Sequence, residues 1–210
     1  MLTAMGDVMR KAYEKGWITT RDGNVSVKMT GKDILYITPS GWRKTILHPE
    51  HIIKVKFTPA GLEIPPGTLP SGELSMHSML QRFRKYTTSV VHLHPTNIIA
   101  AMYAGWDLQE LADEFPEVSR YTKVGPTVPV LPVTSSELAF ATHNAMTAVD
   151  SNKVIYDIVG QKNHGVCAIG ANPWDAYEHI ERLEHICEIV LKSGVHPYEK
   201  KFKCEYRKNL

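Results

Sequence analysis

The stretch from Ser89 to Asn97, SVVHLHPTN, constrains the fold of this chain more than any other. It is an apolar, largely β-branched run closed by Pro95, and it reads as a buried strand. Residues i and i+2 of a strand point to the same face, so His92 and His94 can present two imidazoles side by side to one ion. Taken alone, the pair serves equally well as two ordinary hydrogen-bonded residues.

The elements around that strand follow from periodicity and turn chemistry. Leu2, Met5, Val8, Met9, Ala12 and Tyr13 recur at helical spacing, and Gly16 is placed to close a first surface helix. The pieces NVSVKM, ILYIT, IIKVKF and GLEI are separated by Gly, Pro, Asp and Ser, the pattern of an antiparallel meander. A second helix is expected from near Ser71 through SMHSMLQRFRKY, with an acid in its first turn and basic residues at its end. NIIAAMYAG reads as helical, and the Pro-rich stretch from Asp107 to Pro132 as a long irregular loop. Thr134 and Glu137 form a capping box ahead of LAFATHNAMTAV. KVIYDIVGQKNHGVCAIG looks like two strands around a turn. The last helix has Asn172 as cap, Pro173 at its first position, an apolar face from Ala176 to Leu191, and Gly194 after it. Strands mixed with helices on an antiparallel sheet predict an α+β or layered α/β fold, read as one domain over residues 1–193 with a tail over 194–210.

Charge and composition narrow the partners. Among 210 residues, 24 Lys and Arg nearly balance 22 Asp and Glu, so no strong field attracts nucleic acid or an anionic membrane, and a small or neutral partner fits better. No apolar run approaches the roughly 20 residues of a membrane span, and the charged residues Asp7, Arg10, Lys11, Glu14 and Lys15 interrupt any leader-like apolar segment. Cys167, Cys187 and Cys204 are too few and too scattered for a disulfide framework, which makes a reducing, cytoplasmic setting the default expectation.

Of the other histidines, His164 in KNHGVCAIG is the best third ligand, because Gly165 lets the backbone turn and frees space beside the imidazole. His179 and His185, six residues apart on one helix, project roughly 240° apart and cannot share an ion within one chain. His48, His51, His143 and His196 fall in loop or surface-helix contexts, and His77 reads as a packing residue or a support for a ligand. Three neutral imidazoles with one open position describe a catalytic zinc site, which still needs a proton acceptor. Glu73 is the candidate, with a first-turn helix carboxylate as the simpler alternative. The turns DGN at 22–24, PSG at 39–41 and PSG at 70–72 can each aim backbone N–H groups at an anion, although none is a Walker loop or a dinucleotide fingerprint.

In order along the chain, GNVSV, ITPSG, PSGELSMH, VVHLHPTN and KNHGVCAIG followed by a helix resemble the class II aldolase/adducin family, over about residues 3–193. That family includes fuculose-phosphate and rhamnulose-phosphate aldolases, a ribulose-phosphate 4-epimerase, methylthioribulose-phosphate dehydratases and related decarboxylases. The resemblance implies a three-layer α/β/α sandwich around a largely antiparallel sheet, assembled as a homotetramer with active sites at subunit interfaces. It places the metal on His92, His94 and His164, with Zn2+ first and Mn2+ or Co2+ acceptable, and the acid/base carboxylate on Glu73. It places substrate phosphate on Gly23, Asn24, Ser40, Gly41, Ser71 and Gly72.

Two departures from the family pattern bear on the reaction. Ser71-Gly72 stands where sugar-phosphate aldolases tend to have Ser-Ser, which removes a hydroxyl from the phosphate cradle. The aldolases also take a proton-donating tyrosine from a neighbouring subunit, assigned here to Tyr121, with Tyr103 and Tyr206 as rivals. Glu73 in place of the epimerase branch's Asp leans the expectation toward aldol cleavage of a ketose 1-phosphate, giving dihydroxyacetone phosphate and an aldehyde through a metal-stabilised enediolate. Decarboxylation of a 3-oxo sugar-acid phosphate, dehydration or 4-epimerisation are the alternatives, and a non-catalytic adducin-like scaffold ranks below them.

Overall fold

A computed structural model describes residues 1–197 of the chain. Its centre is a seven-stranded sheet in the order β4-β3-β2-β1-β5-β7-β6. The strands are β1 (Asn24–Lys28), β2 (Ile34–Ile37), β3 (Ile53–Thr58), β4 (Gly61–Glu63), β5 (Thr88–Leu93), β6 (Ile158–Gln161) and β7 (Gly165–Gly170), and every neighbouring pair is antiparallel. The four pieces of the expected meander form one half of the sheet. The buried SVVHLH strand, β5, joins that half to the β6–β7 hairpin.

Alternation along the central strands divides the core into two layers. Val25, Val27, Val91, Leu93, Val166 and Ala168 face α1 (Leu2–Glu14), α3 (Thr96–Tyr103) and α7 (Pro173–Ser193). Val90, Val159, Cys167 and Ile169 face α2 (Leu74–Gln81) and α6 (Ser136–Met146). The result is the expected α/β/α sandwich, each apolar strand face being covered by the apolar stripe of a helix. By the same parity Asn24, Ser26 and His92 point toward α2, and this places polar groups inside the second layer.

Three local expectations need correction. The stretch Asp107–Pro132 is not one long loop, because it holds α4 (Leu108–Asp113) and α5 (Pro116–Tyr121). Asp107 caps α4 by accepting from Gln109 N and Glu110 N, Pro116 starts α5, and Leu108, Leu111, Ala112 and Val118 are buried. The second helix is shorter than its sequence pattern suggests: Glu73 is its N-cap and it stops at Gln81, before the basic residues. The cap of α6 is Ser135, whose hydroxyl accepts from Leu138 N, while Thr134 sits at a φ of 61° just before it.

The last helix is as expected, with Asn172 accepting from Trp174 N and Asp175 N and Gly194 at a φ of 71°. From its middle, the buried Glu184 reaches the start of α3 and accepts from Asn97 N, Asn97 Nδ2 and Ile98 N. One carboxylate thus satisfies two first-turn N–H groups of the helix that follows His94 directly, and it ties α7 to α3. Glu184→Ala should lower stability by about 3 kcal/mol, since it strands buried donors, whereas Glu184→Gln should cost less. Urea midpoints at neutral pH measure both.

Candidate metal centre

β5 and its neighbours bring the three sequence-predicted histidines together. His92 is the penultimate residue of β5, and His94 lies just past its end, where its backbone N–H donates to Trp17 O over 3.0 Å. His164 occupies the β6–β7 turn, after Asn163 at a φ of 58°, and its N–H donates to Gln161 O over 3.0 Å. One nitrogen from each ring lies within 4.8 Å of the others. Gly165 permits this approach. A Cβ there would collide with Leu93 O and come within 2.8 Å of His94 Cδ2 and 3.3 Å of His92 Cε1.

The proton positions favour a cation between the rings. His92 Nδ1 lies 2.9 Å from Val166 O and donates to it, so Nε2 keeps its lone pair. That Nε2 lies 2.9 Å from His94 Nε2 and 3.2 Å from Glu73 Oε2. His164 Nε2 lies 3.9 Å from Glu73 Oε1. Burial, and then the neighbouring rings His94 and His164, push the His92 pKa well below the ordinary imidazole value. Burial and His164 lower that of His94. Glu73 Oε1 and His164 Nδ1 are buried without a hydrogen-bond partner. Neutral imidazole nitrogens and a carboxylate converging with unused lone pairs are what a divalent cation requires, so these residues fit a metal.

Glu73 is held from three sides. Its backbone N–H donates to Ser71 Oγ over 3.3 Å, its backbone carbonyl at the N-cap position of α2 accepts from His77 N over 3.2 Å, and its Oε2 accepts from Asn24 Nδ2 over 3.0 Å. The three Gly-bearing turns lie against one another beside it. Pro39 bridges to Pro70, Ser40 N donates to Leu69 O, Ser71 N donates to Thr38 O, and Thr38 N donates to Val25 O. Gly23 and Gly41 have φ of 68° and 66°, conformations that suit glycine. Gly72 is packed under Thr134, since a Cβ there would come within 2.9 Å of the threonine methyl; the absence of a second serine at this turn therefore has a steric reason.

One group beside this site, Lys44, was not singled out from the sequence, and Asn24, assigned there to phosphate, is engaged elsewhere. Lys44 is almost fully buried and donates through Nζ to Arg21 O at 3.0 Å and Trp42 O at 3.1 Å, which joins two of the turns. Burial lowers its pKa to about 8, with Asp22 opposing the shift. No motif marks it, because the carbonyls that hold it come from chain bends. The amide of Asn24 is engaged on both Glu73 and His77. Tyr121 lies on α5, half-exposed, its ring under Arg120 and Arg182 and not against the histidines. Tyr103 is exposed at the end of α3, and Tyr206 lies outside the described residues. His143, expected on a helix surface, is buried on α6.

Comparison with known proteins follows this geometry. Residues 3–191 match the family described as the class II aldolase and adducin N-terminal domain. The chain belongs to that family. This class II aldolase-family chain is 28% identical, over 84% of its length and 88% of the relative's, to an L-fuculose phosphate aldolase of Methanococcus maripaludis strain C5. It is also 28% identical, over 90% of its length and 93% of the relative's, to a methylthioribulose-1-phosphate dehydratase of Pectobacterium atrosepticum. Its fold matches a sugar-phosphate aldolase structure from Thermotoga maritima with a TM-score of 0.75 at 24% identity, covering 93% and 97% of the two chains. Among the described residues, no helix is long and apolar enough to cross a membrane.

Two outcomes follow from the packing and protonation of the site. Gly165→Ala should cost about 1–3 kcal/mol through overpacking and weaken zinc binding about ten-fold or more, measured by urea unfolding and by titration calorimetry. His77 is fully buried, and burial lowers its pKa from the ordinary 6.5 to about 3. Between those values the unfolded chain binds a proton that the folded chain does not, so stability falls as pH is lowered through this window. Chelated protein should lose about 2 kcal/mol from His77 alone between pH 6.5 and about pH 5, with His92 and His94 adding in the same direction. Urea midpoints at about pH 7 and about pH 5 check the sign.

Proposed function

We propose that the chain is a metal-dependent lyase of phosphorylated sugars, cleaving a ketose 1-phosphate into dihydroxyacetone phosphate and an aldehyde. The observation that carries this reading is the convergence of three imidazole nitrogens with a buried carboxylate whose Oε1 has no partner. His92, His94 and His164 would hold the ion, and zinc suits three imidazoles, with manganese or cobalt also acceptable. Such an ion, when bound, supplies Lewis acidity to a carbonyl oxygen and its neighbouring hydroxyl.

Glu73 then carries the proton at the carbon next to the carbonyl. Asn24 holds Oε2, which leaves Oε1 as the atom that exchanges this proton, delivering it to the enediolate carbon in cleavage and removing it in condensation. Gly23, Asn24, Ser40, Gly41, Ser71 and Gly72 lie in the three joined turns and are assigned to the substrate phosphate, with Ser40, Gly41 and Gly72 on their exposed side. Buried Lys44 adds a fixed positive charge behind two of these turns, which favours an anion there. Tyr121, from a neighbouring copy in a homotetramer, is assigned as proton donor to the aldehyde oxygen in condensation, and in cleavage it takes the proton of that hydroxyl as the carbon–carbon bond breaks, a role consistent with its half-exposed ring.

Dehydration is the second reading. It is favoured by the equal identity, 28%, to a relative named as a dehydratase, and it would use the same carboxylate to remove the proton while water leaves the adjacent carbon. Zinc-loaded protein incubated with ketose 1-phosphates should release dihydroxyacetone phosphate and an aldehyde. Loss of water without carbon–carbon cleavage selects the dehydratase, and release of carbon dioxide from a 3-oxo sugar-acid phosphate selects the decarboxylase. Glu73→Gln should keep three-histidine metal binding while kcat falls about 10²–10⁴-fold. A near-native rate in that variant removes Glu73 from the mechanism.

A further inference from the structure

The turnover just described makes no use of His77, yet both nitrogens of this buried imidazole are engaged. It stands one helical turn after Glu73, and its N–H donates to Glu73 O over 3.2 Å. Its ring lies against Asn24 and Ser26, alternate residues on one face of β1. Nε2 is 2.5 Å from Asn24 Oδ1, and Nδ1 is 2.6 Å from Ser26 Oγ. Ser26 Oγ is in turn 2.5 Å from Gln81 Oε1, and Gln81 Nε2 donates to Thr88 O over 2.8 Å. A continuous chain of buried polar groups therefore runs from Glu73 through β1 and α2 to the start of β5.

The donors and acceptors of this chain can be assigned from its ends. An ionised carboxylate only accepts, so Asn24 must turn its NH2 to Glu73 Oε2 and its oxygen to His77. His77 must then carry its proton on Nε2, since the other tautomer would set a lone pair against the Asn24 oxygen. Burial keeps the ring neutral, with its pKa lowered to about 3, so a single tautomer serves. At the far end Gln81 turns its NH2 to Thr88 O, so its Oε1 accepts the single Ser26 hydroxyl hydrogen and the Ser26 oxygen is left facing Nδ1.

We propose that His77 is a positioning residue for Glu73: its Nε2–H fixes the orientation of the Asn24 amide, which ties down Glu73 Oε2 and leaves Oε1 free for proton transfer. The Asn24 side chain thereby serves the carboxylate, and any contribution of its turn to phosphate falls to the backbone. This inference rests on the reading of Glu73 as the proton carrier.

The test combines kinetics with a signature independent of turnover. His77→Phe keeps ring volume and removes the Nε2–H donor to Asn24. It should lower kcat about 10–100-fold, with KM and zinc stoichiometry within about two-fold of wild type. His77→Gln, which restores an N–H donor, should regain most of that rate. In ¹H–¹⁵N spectra of histidine-labelled wild type, His77 should appear as the neutral Nε2–H tautomer. The inference is overturned by an Nδ1–H tautomer, by a Phe variant with wild-type kcat, or by Phe and Gln variants that are equally slow and lose zinc together. Wild-type protein inert toward every phosphorylated ketose would instead refute the functional reading, while the tautomer spectrum still decides the hydrogen-bond assignment. Should His77→Phe not fold, the Gln variant and the spectrum carry the decision.

Discussion

The ladder on either side of β5 is the constraint on which the site depends. It sets Asn24 of β1, His92 of β5 and Cys167 of β7 abreast, with Val91 paired to Val25 on one side and Ala168 on the other. A slip of one residue would turn His92 into the α1–α7 layer and Val91 toward α2. The apolar faces prevent it. Val25, Val27, Val91, Leu93, Val166 and Ala168 are fully buried on the far side, and exposing even two valines would cost about 3 kcal/mol or more. The hydrophobic core thus fixes which strand residues can meet an ion, although no core residue touches it.

On that rigid surface the molecule gathers polar and charged groups that are costly to bury. They include His92 and His94, whose pKa burial lowers, His164 beside them, a carboxylate with an unpartnered oxygen and, behind the neighbouring turns, a buried lysine. Each carries an electrostatic cost when no ligand is present, and such costs concentrate where binding or catalysis offsets them. Lys44 answers its burial with two carbonyls, and Glu73 answers part of its own with Asn24. The lone pairs left over point to where charge is needed.

Legibility in the sequence followed the range of the interaction. The long α7 was readable from its cap, its proline and its apolar stripe, all local features, and the meander from its turn residues. The helices α4 and α5 were missed because six residues carry little periodicity, and a helix of that length depends on packing for its stability; here Leu108, Leu111, Ala112 and Val118 bury against the same layer as α7. The α6 cap moved from Thr134 to Ser135 because Thr134 adopts a left-handed backbone over Gly72, a contact between residues 62 positions apart. The histidine pair was visible through the two-residue repeat of a strand. The orientation of Asn24 toward Glu73 and His77 was not, since it spans separations of 49 and 53 residues.

By itself, the sequence determined the residue types available for chemistry, the periodicities of its longer elements and, through ordered motifs, the family. Those properties are carried by neighbours along the chain, where backbone geometry and side-chain spacing act directly. Only the tertiary structure decided that the β6–β7 turn closes on the end of β5, that Gly165 lets His164 approach His92 and His94, and that His77 reaches Glu73 through Asn24. The physical reason is that these contacts depend on strand register and helix docking, which the whole buried core sets at once and no local pattern encodes.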